Sequence, residues 1–231
     1  YLLKAGQVVR SGTPKDVAEH YLASIYEKNQ DVTGVERTAS SDVEGREVQS
    51  SEYRDMRSSM INASSLRNDI EVFQFNAKQR GFGTGQAQIV SVRLLDRENA
   101  VLSWIVGGED VVLEVTARAQ VEIRHPIIGF QFIDRLGQVL FADNTFITFQ
   151  YDSPTVPAHG KVIARFEFRL PVLPTGDYSI AVALAEGTQE NHVQHHWKHD
   201  ALSVRVHASS VCFGLMGIPM KHISLVAFDD Q

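Results

Sequence analysis

Residues 192–199 hold the densest group of metal-ligating side chains in this sequence. The four histidines of that segment are His192, His195, His196 and His199. On an α-helix this spacing would place all four on one side, as a zinc site requires. The segment follows an alanine-rich apolar run and contains Val193 and Trp197, two residue types that favour strands. On a strand only His195 and His199 share a face, too far apart to ligate one ion unaided, so we expect no metal site.

Catalytic chemistry has little support in the residue pattern. The candidate acids for a hydrolase are Asp134, Asp143, Glu167 and Asp177. Three of them stand in turn-like contexts and the fourth on a charged strand face, so turn formation explains them more simply than a catalytic pair. Cys212 lies in an apolar run, where an inert thiol is expected. The glycine-rich stretch 81–85 lacks the lysine of a phosphate-binding loop, and we expect no catalytic residue.

Alternating apolar and polar residues begin near residue 70 and continue to residue 206. The strand-like runs are Ala87–Leu94, Val111–Arg118, Gly129–Ile133, Val139–Phe141, Lys161–Leu170, Tyr178–Ala185, His192–His199 and Ala201–Val206. In the clearest run Ala164, Phe166 and Phe168 face one way, and the charged residues between them face the other. About eight strands with no convincing helix between them predict a mainly β fold. We expect an immunoglobulin-like or jelly-roll antiparallel β-sandwich.

Composition limits the possible partners. The chain has 231 residues, a net charge of −6 and one cysteine. Without a basic stripe to offset phosphate charge, nucleic acid is not an expected partner. One cysteine cannot form an intramolecular disulfide, which fits a reducing compartment. No apolar run approaches the roughly 20 residues needed to span a bilayer.

The first thirty residues predict a hairpin followed by a helix. Two short apolar runs flank a turn at 5–7, and Thr13-Pro14 followed by Asp16 forms a typical helix start. The run 6–14, with Tyr21-Leu22 after it, resembles the end of an ABC-transporter ATP-binding domain. We therefore expect residues 1–28 to be the C-terminal remnant of such a domain. ATP and Mg²⁺ would bind that domain's missing part, and no cofactor is expected in this chain.

The segment expected to precede the sandwich is 29–79, and its residues 29–69 are rich in serine and in charged side chains and hold few large apolar groups. Such a segment cannot bury enough apolar area to offset its conformational entropy, so a polar linker is expected. Tyr53, Met56, Met60 and Ile61 stand at roughly helical spacing, so a short docked helix is the alternative. The β-sandwich would then span 80–231.

The predicted sandwich contains several short sequence segments that occur together in one family. They are His125-Pro126-Ile127-Ile128-Gly129-Phe130, Asp134-Arg135-Leu136-Gly137, Phe141-Ala142-Asp143-Asn144-Thr145, Leu170-Pro171-Val172-Leu173-Pro174-Thr175-Gly176-Asp177-Tyr178 and Trp197-Lys198-His199-Asp200-Ala201-Leu202. Their order and spacing resemble the C-terminal domain of Wzt proteins, the nucleotide-binding subunits of ABC exporters for O-antigen polysaccharides. The resemblance covers roughly residues 80–225. It implies a non-catalytic module that binds an O-antigen polysaccharide by its finished end, at the cytoplasmic face of the bacterial inner membrane.

On this resemblance, sugar binding calls for an aromatic ring and planar polar groups. The candidate binding residues are Trp197, His195, His199, Ser179 and Ala181. We expect Trp197, His195 and His199 to share an exposed face of their strand. The opposite face of that strand would then carry Gln194, His196 and Lys198. Ser179 and Ala181 belong to a shallow face of small residues that could floor a sugar site or pack beneath a neighbour. The alternative places Trp197 in the core against Tyr178 and Phe166, as sandwiches usually use a tryptophan.

The resemblance also implies partners. A homodimer is expected, together with a transmembrane permease subunit reached through the missing ATPase domain. The apolar run 211–218 needs covering and either closes the sandwich's own edge or pairs with a second protomer as an exchanged strand. A purely structural dimerisation domain of the transporter subunit is the alternative function.

Overall fold

The computed structural model describes residues 1–13, 17, 20–21, 24, 55–65, 67–78, 81–207 and 212–227. The strands are β1 (Leu2–Lys4), β2 (Gln7–Arg10), β3 (Asp69–Val72), β4 (Gly81–Phe82), β5 (Ala87–Leu95), β6 (Trp104–Val106), β7 (Asp110–Ala119), β8 (Pro126–Asp134), β9 (Val139–Asn144), β10 (Lys161–Arg169), β11 (Gly176–Gly187) and β12 (His192–Val206). The short helices are α1 (Ser58–Asn62) and α2 (Phe146–Phe149). No helix among these residues is long and apolar enough to cross a membrane.

Two antiparallel sheets form the sandwich, as the sequence predicted. The larger sheet has the order β6-β3-β12-β11-β8-β9 with β4 paired to β12, and the smaller has the order β10-β7-β5. The inner faces of both sheets meet in one apolar core that includes Phe132, Ile180, Leu202, Leu113 and Leu94. This burial is the main source of stability, because each large apolar side chain contributes about 1.5–3 kcal/mol when fully buried.

Strand β10 has the alternation that the sequence predicted. Ala164 is buried, and Val162, Phe166 and Phe168 pack against the core from the same face. Tyr178 anchors the next strand, because its hydroxyl donates to the Pro174 carbonyl at 2.8 Å. Burial raises the pKa of this phenol, which keeps it a neutral donor. The corner between β10 and β11 is thereby closed.

The last strand departs from prediction. Where two strands were expected, β12 runs unbroken from His192 to Val206 along β11. Its register shifts twice, opposite Ile180–Val182 and opposite Leu184–Ala185. Asp200 lies at the first shift with a positive φ of 44°. The bulges absorb the irregular polar spacing that suggested a break.

The sheet also begins earlier than the predicted boundary at residue 80. Strand β3 lies inside the segment expected to be a linker and pairs with both β12 and β6. Asn68, just before β3, is fully buried. Its Nδ2 donates to the Leu173 carbonyl at 2.9 Å, and its Oδ1 accepts the Leu173 N–H at 3.1 Å. A short helix, α1, is present where the alternative expected a docked one, but none of its residues is buried. Residues 29–54 lie outside the described residues.

The N-terminal hairpin has the predicted form. Strands β1 and β2 are antiparallel, and Ala5 and Gly6 between them have φ values of 50° and 78°. Two successive positive φ values are typical of the tight turns that join hairpin strands. The Val17 N–H donates to the Thr13 carbonyl at 3.1 Å, as the predicted helix start requires. The rest of that helix lies largely outside the described residues.

The C-terminal segment, residues 212–227, contacts the rest of the chain at two places. Gly217 forms an isolated bridge with Val172. The Met220 carbonyl accepts the Met56 N–H at 2.9 Å, and the Met220 N–H donates to the Asp55 carboxylate at 2.8 Å. The Arg57 guanidinium lowers the pKa of Asp55, the carboxylate at this junction, to about 2. Several apolar side chains of the segment are exposed; Phe213 and Leu225 are each 99% exposed. Met216 of the same segment packs against the core.

Candidate functional site

The outer face of the larger sheet carries a groove of about 420 Å³. Strands β8, β9, β11 and β12 supply its floor and one wall. The lining residues are Ile127, Gly129, Phe130, Gln131, Ala142, Asp143, Asn144, Ile147, Ala181, Val182, Ala183, Ala185, Gln189, His192, Gln194 and Trp197. Among the residues that the structure describes, no three His, Cys, Asp or Glu side chains are grouped so as to hold a metal ion.

The floor is shallow because small residues face each other across the central strands. The register pairs Ala183 with Gly129, and Ala181 with Gln131. The alternate residues of β11, such as Val182, point into the core. A side chain at position 129 would crowd Asn144, since a Cβ there would stand 3.1 Å from the Asn144 Cβ. Glycine therefore lets the Asn144 carboxamide lie over the floor.

An aromatic cluster lies beside the groove on the β12 side, and Trp197 is the member that lines the groove. The Trp197 indole stacks on Phe82 of β4, with ring centroids 5.9 Å apart and planes 14° from parallel. Its Nε1–H donates to Nδ1 of His199 at 3.2 Å. Trp197 is 6% exposed but does not belong to the core cluster. Its ring contacts include Phe82 and His199. The burial of Trp197, His195 and His199 contradicts the exposed strand face predicted for them and agrees with the alternative that buried the indole.

A β-bulge decides which side chains of β12 reach the groove. Gln194 pairs with Ala185 and Trp197 with Ala183, so both lie on the groove face although they stand three residues apart. Strict alternation predicted opposite faces for these two, and the bulge at His195 is the reason that it fails. Gln194 is 2% exposed, and its Nε2 donates to the Leu184 and His196 carbonyls at 2.8 and 2.9 Å. The carboxamide thereby satisfies backbone groups near the bulge.

The five predicted binding residues separate into two groups. Trp197 and Ala181 line the groove. His195 is 1% exposed and lies in the bulge, where Thr84 Oγ1 is 2.8 Å from Nδ1 and the Glu186 carboxylate 3.0 Å from Nε2. These contacts use both of its ring nitrogens.

The two others are buried near the groove without lining it. His199 supports the indole of Trp197 as an acceptor. Ser179 lies on the same sheet face as the floor, paired between Ile133 and Ser203. These two residues and His195 therefore form a supporting layer.

The groove's polar lining was missed from the sequence. Gln131, Asn144, Gln189 and Gln194 contribute four carboxamides, and Asp143 contributes a carboxylate. Asp143 had been assigned to a turn, but it lies within β9, one residue before the end of the strand, and lines the groove. The one signal in the sequence was the outward position of Gln131 in an alternating run, which is equally typical of a solvated strand.

The opposite side of β12 connects the two sheets. Nδ1 of His196 accepts the Ile89 N–H of β5 at 3.0 Å, so this ring is neutral with its proton on Nε2. Burial, and then the charge of Lys198, lower the pKa of His196. Burial also lowers the pKa of Lys198, whose Nζ donates to the Ala77 carbonyl at 3.1 Å.

Comparisons with known proteins agree with this architecture. A solved structure described as the crystal structure of the C-terminal domain of wzt matches with a TM-score of 0.54 and 14% identity, covering 65% of this chain and 91% of that chain. At this identity the likeness shows the fold alone. No protein of curated function matches the sequence. Residues 78–218, more than half of the chain, match the family model of the Wzt C-terminal domain. The chain therefore belongs to the Wzt C-terminal domain family.

Proposed function

We propose that this chain recognises an O-antigen polysaccharide, through its terminal structure, and couples it to an ABC transporter for export without catalysing a reaction. The observation that carries the proposal is the groove on the larger sheet, which combines an aromatic side chain, a shallow apolar floor and several carboxamides. Family membership supports the transport context. Homodimerisation and a permease partner, reached through an ATPase domain that holds ATP and Mg²⁺, belong to the same proposal.

The groove suits a sugar on chemical grounds. A pyranose has an apolar face of C–H groups and a rim of hydroxyls, and it needs both to be matched. Ala181, Ala183 and Gly129 offer an apolar surface of small residues, and Trp197, paired with Ala183, lines the groove beside it. The carboxamides of Gln131 and Asn144 at its side both donate and accept hydrogen bonds, as hydroxyl recognition requires. A groove of about 420 Å³ is within the range of small-ligand sites.

The deciding experiment is binding of the purified chain to O-polysaccharide from its source organism and to one of unrelated structure. Isothermal titration calorimetry measures both affinities. We expect binding to the first and at least a tenfold weaker interaction with the second, a difference of about 1.4 kcal/mol. Binding to neither contradicts recognition, and equal binding to both contradicts specificity.

The second candidate function, a structural dimerisation domain, rests on the C-terminal segment. Its exposed apolar residues include Phe213, Leu215 and Ile218, which a partner would cover. A homodimer that exchanges residues 211–218 fits this exposure. Size-exclusion chromatography with light scattering on the intact chain, and on one ending at Ser210, tests it. We expect a dimer for the first and a monomer for the second, and an intact chain that is monomeric contradicts the exchange.

A further inference from the structure

We propose that the groove takes an uncharged stretch of glycan and excludes sugar residues bearing carboxylate or phosphate groups. This inference rests on the proposed function and deepens it by naming the class of sugar. Its basis is the charge of the lining and the hydrogen-bonding groups that the lining leaves for a ligand.

Among the described residues, no lysine or arginine lines the groove. Its charged residue is Asp143, and its remaining polar groups are carboxamides and His192. Lys198 follows Trp197 in sequence but lies on the opposite face of β12, because its partner in the strand register is the core residue Val182. Its Nζ donates to the Ala77 carbonyl. An anionic sugar in the groove would lose hydration beside a carboxylate and gain no cation.

Four arginines of the sandwich are held in ion pairs away from the groove. Arg93 and Arg165 pair with Glu114, and Arg97 and Arg169 with Asp110, all on the outer face of the smaller sheet. Since anion recognition in proteins relies on arginine, lysine or clustered backbone N–H groups, these placements favour a neutral ligand in the groove.

The polar groups that remain in the groove match hydroxyls. Oδ1 of Asn144 accepts the Phe146 N–H at 2.9 Å, so the amide nitrogen is the end that donates to a ligand. Gln194 is nearly fully buried and its Nε2 donates to two backbone carbonyls, so its carboxamide supports the strand more than it serves a ligand. Oδ1 of Asp143 accepts the Asn144 N–H at 2.7 Å, and its carboxylate retains capacity for sugar hydroxyl donors. A hydroxyl, which both donates and accepts, is satisfied by this set.

Salt dependence tests the inference directly. The purified chain is titrated with the source O-polysaccharide in about 0.02 M and about 0.5 M NaCl, a change that collapses the screening length severalfold. The pH is held at about 8, where histidine is neutral. We expect the affinity to change less than about twofold, because no ion pair forms. A fall of about tenfold or more overturns the inference while leaving the proposed function intact, whereas no binding at either salt overturns the proposed function itself.

A matched pair of glycans and variants provides the second arm. The source O-polysaccharide is oxidised so that primary hydroxyls become carboxylates, and its affinity is compared with that of the parent glycan. We expect at least a tenfold loss for the natural chain, and we expect Ala142→Arg at the groove to recover binding of the oxidised glycan in low salt only. Val90→Arg, an exposed position on β5, is the control and should recover nothing. Equal affinity of the natural chain for both glycans, or a loss that Ala142→Arg leaves unchanged, contradicts exclusion by charge.

Discussion

The outer face of the smaller sheet is crossed by rows of paired charges, whereas the groove on the outer face of the larger sheet has a floor of small apolar side chains. On the smaller sheet Arg93, Glu114 and Arg165 stand side by side on three neighbouring strands. On the larger sheet the corresponding neighbours at the groove are Gly129 and Ala183. Both faces use the same antiparallel backbone.

The contrast shows how one fold separates stability from recognition. The charged side chains on the smaller sheet neutralise one another in cross-strand ion pairs, so few charged groups there remain to bind a ligand. Small residues at the groove give up cross-strand side-chain contacts, and the open space that results can be filled by a ligand. The following predictions test this division, and they run from the largest expected effect to the smallest.

Filling the floor should abolish binding. Ala183→Trp places an indole in the groove beside Trp197, and we expect at least a 100-fold loss of affinity for the source O-polysaccharide, about 2.8 kcal/mol. Calorimetric titration measures it. Ile163→Trp on the outer face of the smaller sheet is the control, since position 163 is already half exposed. If both variants bind alike, the groove is not the binding site.

Removing the tryptophan of the groove should cost both binding and stability. Trp197→Ala takes away a buried ring stacked on Phe82, and we expect unfolding free energy to fall by about 3 kcal/mol. We expect affinity to fall at least tenfold, as for a central aromatic anchor. Urea denaturation and glycan titration measure the two effects. The control is Trp104→Ala, which removes an exposed tryptophan on the far edge of the same sheet and should leave glycan affinity unchanged. Full glycan affinity in a folded Trp197→Ala protein would contradict the proposed site.

Breaking the charge row should affect stability alone. Glu114→Gln leaves Arg93 and Arg165 without their shared carboxylate, which is 7% exposed. Since both arginines are half exposed to solvent, we expect a loss of about 1 kcal/mol that shrinks in high salt. Urea denaturation at two salt concentrations measures it, and Glu98→Gln in an exposed turn is the control. A large loss of glycan affinity would contradict the division between the two faces.

The contact between the two sheets should make stability sensitive to pH. Because the pKa of His196 is lowered in the folded state from the ordinary 6.5, the unfolded chain binds its proton more readily. The free energy of unfolding therefore falls as pH drops below about 6.5. We expect His196→Gln to reduce this fall between about pH 7 and 5, as measured by urea denaturation, and His222→Gln at an exposed position to leave it unchanged. Identical pH profiles for His196→Gln and the natural chain would exclude this role.

Local chemistry made much of the fold predictable. The turn between β8 and β9 follows from Asp134, whose carboxylate accepts the N–H groups of Leu136 and Gln138, and from Gly137 with its φ of 86°. Strand β10 follows from its alternation of large apolar and charged residues. Strand β3 lies where the alternation begins, but it was assigned to the linker because it has four residues and stands beside a serine-rich segment.

The candidate site was less predictable, because it depends on register between strands distant in sequence. Ala181 and Trp197, which were chosen from their residue types, line the groove. Gln194 was placed on the wrong face, because a bulge in a histidine-rich strand leaves no apolar pattern to reveal it. Asn144 reaches the floor only through its pairing with Gly129, a contact that no local pattern records.

The strict alternation along β11 has an evolutionary consequence. Its core positions, such as Val182, and its floor positions, such as Ala183, are neighbours in sequence but lie on opposite faces of the sheet. A mutation that enlarges or reshapes a floor residue therefore leaves the core packing untouched. We expect the groove to change its ligand by single substitutions on an unaltered framework, so that relatives with the same fold can diverge in ligand preference while their cores stay alike.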